Sequence, residues 1–249
     1  MLPFNQLSVV MITLNEEGAV RKVVAQIQKI VPEAEIVVVD SSTDQTAEIA
    51  AEMGCVVVKQ FPPRGYGNAM HMALSTASRE YVATLDCDDT YPVDALPGML
   101  QKMLDENLDI VSASRLGKRP DTMPFENYLA NVAFCIIGRM ITGVASTDLH
   151  TGMRIYRRGL LNSYPYDPSY AALPVELQIG PVMIGYRCKE IYIDYLEREG
   201  VSKLRKIEGT IATLKRLWHC RWFFNPFRSK LIKERKELML KSKAGAQSS

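Results

Sequence analysis

The first hundred residues alternate between short apolar runs and segments with helical spacing, and this alternation restricts the fold more than any other feature. The apolar runs cover residues 7–13, 35–40, 55–58 and 80–85. Runs of this length are typical of strands that are buried on both faces of a sheet. Because helices between such strands make right-handed crossovers, the order predicts an α/β fold with a mostly parallel, Rossmann-like sheet and helices on both faces.

The rest of the chain extends this pattern and then changes in character. We predict helices over residues 92–104, 125–144 and 174–184, and strands over residues 108–112, 153–156 and 187–195. Because the last of these strands ends the sheet, residues 1–206 are predicted to form one domain. Residues 207–242 would form a C-terminal amphipathic helical appendage, and residues 243–249 a disordered tail.

Acidic residues follow three of the predicted strands at the point where each strand ends. They are Glu16 and Glu17, then Asp40, and then Asp86, Asp88 and Asp89. The carboxyl ends of parallel strands meet at one edge of the sheet, which is where ligands bind in folds of this class. We therefore expect one cleft to collect all three acidic sites.

Three carboxylates lie within four positions of the stretch TLDCDDTYP, and they repel one another unless a positive charge lies among them. In an extended segment, Asp86 and Asp88 point to the same side and Cys87 to the other. Two converging carboxylates suit a hard divalent cation, Mg²⁺ or Mn²⁺, which also accepts oxygens from substrate phosphates. The alternative is a solvated acidic turn in which Asp88 or Asp89 caps the helix that begins near Pro92.

Several motifs, taken in their order along the chain, resemble those of family 2 glycosyltransferases of the GT-A, or nucleotide-diphosphosugar transferase, fold. They are T-L-N-E at residues 13–16, Asp40, G-Y-G-N-A at residues 65–69 and the D-C-D sequence. Three later motifs resemble the dolichyl-phosphate mannose synthase-like branch: S-A-S-R ending at Arg115, D-L-H-T-G-M-R at residues 148–154, and R-E-G-V-S-K at residues 198–203. The resemblance extends from about residue 7 to residue 203.

This resemblance implies an inverting, metal-dependent transferase that moves a hexose, with mannose favoured, from a nucleotide-diphosphate sugar to a polyprenyl phosphate such as dolichyl or undecaprenyl phosphate. It implies that Asp86 and Asp88 bind Mg²⁺ or Mn²⁺ and that Asp88, Arg115 and Asp148 act in catalysis. The residues that it implies in substrate binding are Thr13, Asn15, Glu16, Asp40, Arg198, Ser202 and Lys203.

Two positions depart from the family's pattern. Ser41 stands where a second acid often follows the acid of the second strand, which leaves open whether the nucleotide is GDP or UDP. Thr90 stands where the branch tends to have Gln near the metal, which leaves open whether Thr90 takes part in metal binding.

The sequence leaves other functions open. A phosphate acceptor needs no general base, because its oxygen is already anionic at neutral pH, whereas a soluble or glycan hydroxyl would need one, for which Asp148 is the candidate. A nucleotidyltransferase usually has a glycine-rich basic loop after its first strand, where this chain has the acidic residues 13–17. A non-catalytic module that binds sugar nucleotides is a further alternative.

The C-terminal region is basic and rich in aromatic residues. Residues 215–243 contain ten of the 30 lysines and arginines of the chain but two of its 28 acidic residues. One helical face is predicted to carry Ile211, Leu214, Leu217 and Trp218. This pattern indicates a segment that lies on an anionic membrane surface, with packing of residues 211–218 onto the domain as the alternative.

Other compositional signals bear on location. No stretch of 18 apolar residues occurs, and the N-terminus lacks the pattern of a signal peptide. The five scattered cysteines fit a reducing compartment, and no nucleic-acid-binding pattern accompanies the basic region. We expect a cytoplasmic protein that attaches peripherally to the cytoplasmic face of a membrane and binds no nucleic acid.

Overall fold

The computed structural model describes residues 2–169, 172–196 and 206–246. The strands in this part of the chain are β1 (Leu7–Thr13), β2 (Glu35–Asp40), β3 (Val56–Lys59), β4 (Tyr81–Thr84), β5 (Ile110–Ser114), β6 (Arg154–Arg157) and β7 (Cys188–Tyr192). The α-helices are α1 (Glu17–Ile30), α2 (Thr46–Glu52), α3 (Tyr66–Thr76), α4 (Ala95–Asp105), α5 (Phe125–Thr142), α6 (Arg158–Ser163), α7 (Leu173–Met183) and α8 (Lys206–Ala246). A short 3₁₀ helix, Phe4–Gln6, precedes β1.

The strands form one sheet in the order β3-β2-β1-β4-β6-β5-β7. Strand β6 runs antiparallel to both of its neighbours, and the other described strand pairs are parallel. Since alternate residues of a strand point to opposite faces, Val9 and Met11 of β1 join a core cluster with α1 and α4, whereas Val10 joins a cluster with α3 and α7. The predicted α/β class, with a mostly parallel sheet and helices on both faces, is confirmed.

The structure differs from the predicted elements in three places. The apolar pattern predicts β6 but not its direction, since such a pattern is the same whichever way the strand runs. No pattern predicts α6, because six residues are too few to show a clear helical periodicity. Helix α8 runs to Ala246 and so includes residues 243–246, which we expected to be disordered, while residues 247–249 lie outside the described part. The division of the chain at residues 206 and 242 stays a prediction.

Helix α8 packs against α5 and α7 through one stripe of its surface. The buried stripe consists of Thr213, Arg216, Leu217 and Cys220. Arg216 forms an ion pair with Glu176 of α7, and both of these side chains are fully buried. Each side chain therefore supplies the opposite charge that the other needs at a site that is closed to solvent.

The side of α8 away from the protein body is apolar and exposed. It carries Ile211, Leu214, Trp218 and Trp222. The helical face predicted from sequence is therefore wrong in one member, because Leu217 belongs to the buried stripe and not to the exposed one. Among the described residues, no helix combines the length and apolar composition needed to cross a membrane.

Candidate functional site

The carboxyl ends of β1 and β2 lie side by side and share a buried hydrogen bond. Thr13 pairs with Asp40 in the parallel register, and its hydroxyl donates to Asp40 Oδ1 at 2.7 Å. Ser42 donates to the same carboxylate through its hydroxyl, at 2.5 Å, and through its backbone N–H, at 3.1 Å. Both Thr13 and Asp40 are buried, so Asp40 is held in a fixed orientation at the end of the sheet.

The loops after β1 and β2 are linked to each other. The backbone N–H of Asn15 donates to the Ser42 hydroxyl at 2.7 Å, and the Asn15 side-chain oxygen accepts from the backbone N–H of Thr43 at 2.9 Å. The backbone N–H of Glu16 donates to Thr46 Oγ1 at 2.9 Å. The structure therefore brings Thr13, Asn15, Glu16 and Asp40 together at one edge of the sheet, as the topology predicts, and their role in binding a nucleotide stays a prediction.

In the acidic loop that follows β4, Asp88 and Asp89 have different partners. Asp88 Oδ1 accepts from the hydroxyl of Thr90 at 2.6 Å and from its backbone N–H at 3.3 Å. Asp89, at a positive φ of 60°, forms an ion pair with Lys22 of α1, with 2.5 Å between Oδ2 and Nζ. Helix α4 has Asp94 at its N-cap position and no side-chain cap. The alternative in which Asp88 or Asp89 caps this helix is therefore wrong.

The carboxylate of Asp86 lies directly over Gly152. An ideal Cβ placed on Gly152 would be 2.5 Å from Asp86 Oδ2 and 2.8 Å from its Cγ, so any side chain at this position would force the carboxylate to move. The backbone of Gly152 is held on both sides, because its N–H donates to the Tyr91 hydroxyl and its carbonyl accepts from the Thr84 hydroxyl, each at 2.7 Å. The acidic loop and the D-L-H-T-G-M-R motif therefore form one unit.

The chemistry of this loop fits a divalent cation that is shared with a substrate. In the described part of the chain, no group of three or more His, Cys, Asp or Glu side chains is arranged to hold a metal ion. Mg²⁺ in phosphate-binding enzymes usually takes one or two carboxylates and fills its other positions with water and phosphate oxygens. Asp86 and Asp88 are two such oxygen donors, and the Thr90 hydroxyl supports Asp88 through its hydrogen bond.

Arg115 and Asp148 form a two-point ion pair. Arg115 Nε lies 2.7 Å from Asp148 Oδ2, and Nη2 lies 2.9 Å from Oδ1. The backbone N–H groups of Arg115 and His150 each add a bond of 3.1 Å to the same carboxylate. Burial would raise the pKa of Asp148, but the charge and hydrogen bonds of Arg115 outweigh it and hold the pKa below its usual value.

Two motif residues link this site to the surrounding helices. Arg154, which is 1% exposed, donates to Ser112, to the Leu149 carbonyl and to Gln178 at 2.7–3.2 Å. These bonds hold the D-L-H-T-G-M-R motif in place. His150 Nε2 lies 2.8 Å from Thr213 Oγ1 of α8. Because the Thr213 hydroxyl donates to a backbone carbonyl of its own helix, His150 is the donor of that bond. Burial lowers the pKa of His150 to about 4, so its ring is neutral at pH 7.

The predicted substrate-binding residues Arg198, Ser202 and Lys203 lie outside the described residues. The described chain before them ends beside the acidic loop, because the backbone N–H of Leu196 donates to the Thr90 carbonyl at 2.9 Å. The Tyr195 ring stacks under the Arg115 guanidinium, 5.3 Å from Cζ to the ring centre. Sequence reasoning missed the roles of Lys22, Tyr91 and Tyr195, because only the fold brings them to the site.

Comparison with known proteins gives matches along most of the chain. The sequence pattern of glycosyl transferase family 2 matches residues 8–164. A dolichyl-phosphate hexose transferase of Haloferax volcanii is 42% identical over 210 residues, which cover 84% of this chain and 91% of that protein. The low-salt glycan biosynthesis hexosyltransferase Agl6 of the same organism is 32% identical over 80% of this chain and 49% of its own length.

Solved structures also match at the level of the fold. Glucosyl-3-phosphoglycerate synthase from Mycobacterium tuberculosis, crystallised with Mn²⁺, uridine diphosphate and phosphoglyceric acid, superposes with a TM-score of 0.68 at 22% identity, covering 86% of this chain and 78% of that one. Mannosyl-3-phosphoglycerate synthase from Rubrobacter xylanophilus gives a TM-score of 0.64 at 20% identity, with coverage of 85% and 72%. At such identities the likeness establishes a common fold.

Proposed function

Because the chain belongs to glycosyl transferase family 2 and is an enzyme of the GT-A fold, we propose that it moves a hexose from a nucleotide-diphosphate sugar to a polyprenyl phosphate. The acceptor class is supported by the 42% identical relative, which is named a dolichyl-phosphate hexose transferase. Mannose stays our prediction for the sugar. The observation that carries the proposal is the Arg115–Asp148 ion pair, because it favours an anionic acceptor over a hydroxyl.

On the donor side, we infer that Asp86 and Asp88 hold Mg²⁺ or Mn²⁺. A cation held there would neutralise charge on the leaving diphosphate. The protein's own contribution is to fix the two carboxylates before the substrate arrives, through the Thr90 hydrogen bonds to Asp88 and the close contact of Asp86 with Gly152. Prior orientation of this kind lowers the reorganisation that the reaction requires. We assign the nucleoside to the edge of the sheet that carries Thr13, Asn15, Glu16 and Asp40.

On the acceptor side, Asp148 is poorly suited to act as a base. Its two oxygens accept four hydrogen bonds, and its pKa is held below the usual value. A base with so low a pKa removes a proton from a hydroxyl inefficiently. A phosphate monoester needs no such step, since its anionic oxygen can attack the anomeric carbon directly while the bond to the diphosphate breaks.

Arg115 is oriented to receive that phosphate. Asp148 binds Nε and Nη2 of the guanidinium, and among the described residues no hydrogen-bond partner is found for the other terminal nitrogen, Nη1. A guanidinium that is fixed on one edge presents its remaining N–H groups in a set direction, which suits a phosphate oxygen. We therefore assign Asp148 a role in orienting Arg115 for the acceptor.

The test is product analysis with a labelled sugar nucleotide and polyprenyl phosphate in the presence of Mn²⁺. We expect a glycosyl phosphate lipid as the product, Asp88→Ala to abolish it, and Asp148→Asn to raise the KM for the acceptor more than it lowers kcat. Glu52→Gln, which alters an exposed acid that is 69% accessible, is the matched control. Full activity of Asp88→Ala would refute the metal site, and a glycoside or free pyrophosphate as the product would refute the acceptor class.

We further propose that the enzyme attaches to an anionic membrane surface through two exposed apolar helix stripes. The α5 stripe consists of Phe125, Leu129, Ile136 and Met140, which are 54%, 49%, 57% and 80% exposed. The α8 stripe consists of Ile211, Leu214, Trp218 and Trp222. Large apolar side chains arranged in rows on exposed helices, with cations such as Arg139 and Lys215 on the same helices, suit the boundary of a lipid bilayer. Location at the cytoplasmic face stays a prediction.

The chain carries its own probe for this attachment, because its two tryptophans, Trp218 and Trp222, both lie in the α8 stripe. We expect vesicles that contain anionic lipid to shift tryptophan emission to the blue, and brominated acyl chains to quench it. Trp218→Ser should weaken vesicle binding about tenfold, while Phe61→Ser, at a site that is 66% exposed, should leave it unchanged. Unaltered emission at saturating vesicle concentration would exclude insertion of this stripe.

A further inference from the structure

The third carboxylate of the acidic loop, Asp89, needs an explanation that the metal site alone does not give. Asp89 directly follows Asp88, and its side chain is 10% exposed. Of its two oxygens, Oδ2 pairs with Lys22 Nζ at 2.5 Å, and Oδ1 is buried with no hydrogen-bond partner in the described part of the chain. A buried carboxylate in this state depends on its ion pair for compensation.

Lys22 reaches this loop from the first helix of the fold. Helix α1 packs on the sheet through Ala19, Val20 and Val23, and the Lys22 side chain is 51% exposed. Its neighbour Arg21 turns away to an exposed pair with Glu52 of α2, at 3.3 Å. Of these two adjacent cations, Arg21 therefore pairs with α2, and Lys22 pairs with the acidic loop.

We propose that Lys22 is a positioning residue of the metal site. By pairing with Asp89, Lys22 leaves Asp86 and Asp88, and not all three carboxylates, to bind the cation. This inference rests on the proposed function, in which Asp86 and Asp88 bind the metal. A third carboxylate ligand would occupy a coordination position that a diphosphate oxygen must take. Lys22 also sets the formal charge of the four-residue group of Lys22 and the three aspartates at −2.

The proposal predicts changes in metal affinity that have opposite signs. Asp89→Asn removes a negative charge from the acidic loop, so the Kd for Mn²⁺ should rise. Lys22→Gln leaves Asp89 uncompensated, so the Kd should fall. Each shift should be about threefold to tenfold at low salt and smaller at high salt, because Lys22 is half-exposed and its charge is screened. The double variant restores the original net charge and should return to the wild-type Kd.

The experiment is titration of each purified full-length variant with Mn²⁺ alone, with free Mn²⁺ followed by electron paramagnetic resonance. Lys22→Arg, which keeps the charge, should bind Mn²⁺ like the wild type. Arg21→Gln, one residue away, is the matched control and should also leave the Kd unchanged. Thermal unfolding of every variant identifies any that fail to fold, and Lys22→Gln and Lys22→Arg keep the test usable if Asp89→Asn is unstable.

The outcomes separate this inference from the proposed function. Opposite shifts in the two single variants, cancelled in the double variant, would support it. Weaker binding in both single variants, no change in either, or a double variant as weak as Asp89→Asn would overturn it, the last by making Asp89 itself a ligand. Asp88→Asn is the reference: if it binds Mn²⁺ as the wild type does, the metal site fails and this inference with it.

Discussion

Adding one methyl group at position 152 should weaken metal binding without removing a charge. In Gly152→Ala the new Cβ would be placed 2.5 Å from Asp86 Oδ2, whereas ordinary contacts begin at 3.4 Å. Because hydrogen bonds from Thr84 and to Tyr91 hold the Gly152 backbone, the carboxylate has to retreat, by about 0.9 Å if it moves straight back. Gly152 does not have a positive φ, so alanine brings no backbone strain of its own.

This displacement is large on the scale of metal coordination. Mg²⁺ binds oxygen at about 2.0–2.1 Å, and sites tolerate deviations of about 0.2 Å. We therefore expect Asp86 to be lost as a ligand and the affinity for Mn²⁺ to fall about 10–100-fold, which is the usual cost of disturbing the support of a metal ligand. Glycosyl transfer at limiting Mn²⁺ should fall in parallel and recover in part as Mn²⁺ is raised.

The assay is Mn²⁺ titration of the wild type, Gly152→Ala and Asp86→Asn under the same conditions, with the thermal midpoint as a check of folding. Gly159→Ala in α6 is the matched control, because no atom lies within 4 Å of its ideal Cβ, and its Kd should be unchanged. A folded Gly152→Ala with the wild-type Kd would refute the reasoning, since it would mean that Asp86 can be displaced without consequence.

Three further predictions concern stability and nucleotide binding. Arg216→Met should lower the free energy of unfolding by about 3–5 kcal/mol, because Glu176 stays buried without its cation, and Arg216→Met with Glu176→Leu should recover most of the loss in urea denaturation. Between about pH 4 and pH 6.5, the unfolded state takes up a proton at His150 and the folded state does not, because burial lowers the folded pKa to about 4. Stability should therefore fall as the pH is lowered through this window, by up to about 3 kcal/mol. Urea denaturation over this pH range that gives His150→Gln the same pH dependence as the wild type would contradict this prediction. Thr13→Val removes a hydrogen bond to the buried Asp40 and should weaken nucleotide binding several-fold in calorimetry, and unchanged affinity would remove Asp40 from the predicted nucleotide site.

The parts of the fold that could be predicted are those that local pattern determines. A continuous apolar run followed by acidic residues locates a strand and its carboxyl end, and the order of strands and helices then places Asp40 and Asp86 at one edge of the sheet. The residues of the acidic loop were found from sequence because their chemistry is concentrated within four positions.

The partners of the site residues could not be predicted, because they come from distant parts of the chain. Arg115 and Asp148 were both predicted, but their ion pair joins residues 33 positions apart. Leu217 was assigned to the wrong face of α8 for a different reason: apolar side chains occur on both the buried and the exposed stripe, and spacing alone does not tell which stripe meets the protein body.

The position of β6 has a consequence for the order in which the enzyme can be assembled during synthesis. The strand comes from residues 154–157 but lies between β4 and β5, so this late segment joins the two strands in the sheet. A nascent chain that ends before Gly152 has the acidic loop but lacks the backbone against which Asp86 rests. The segment that joins β4 to β5 therefore also brings the backbone against which Asp86 rests, and chains that end before it lack this support for the predicted cation site.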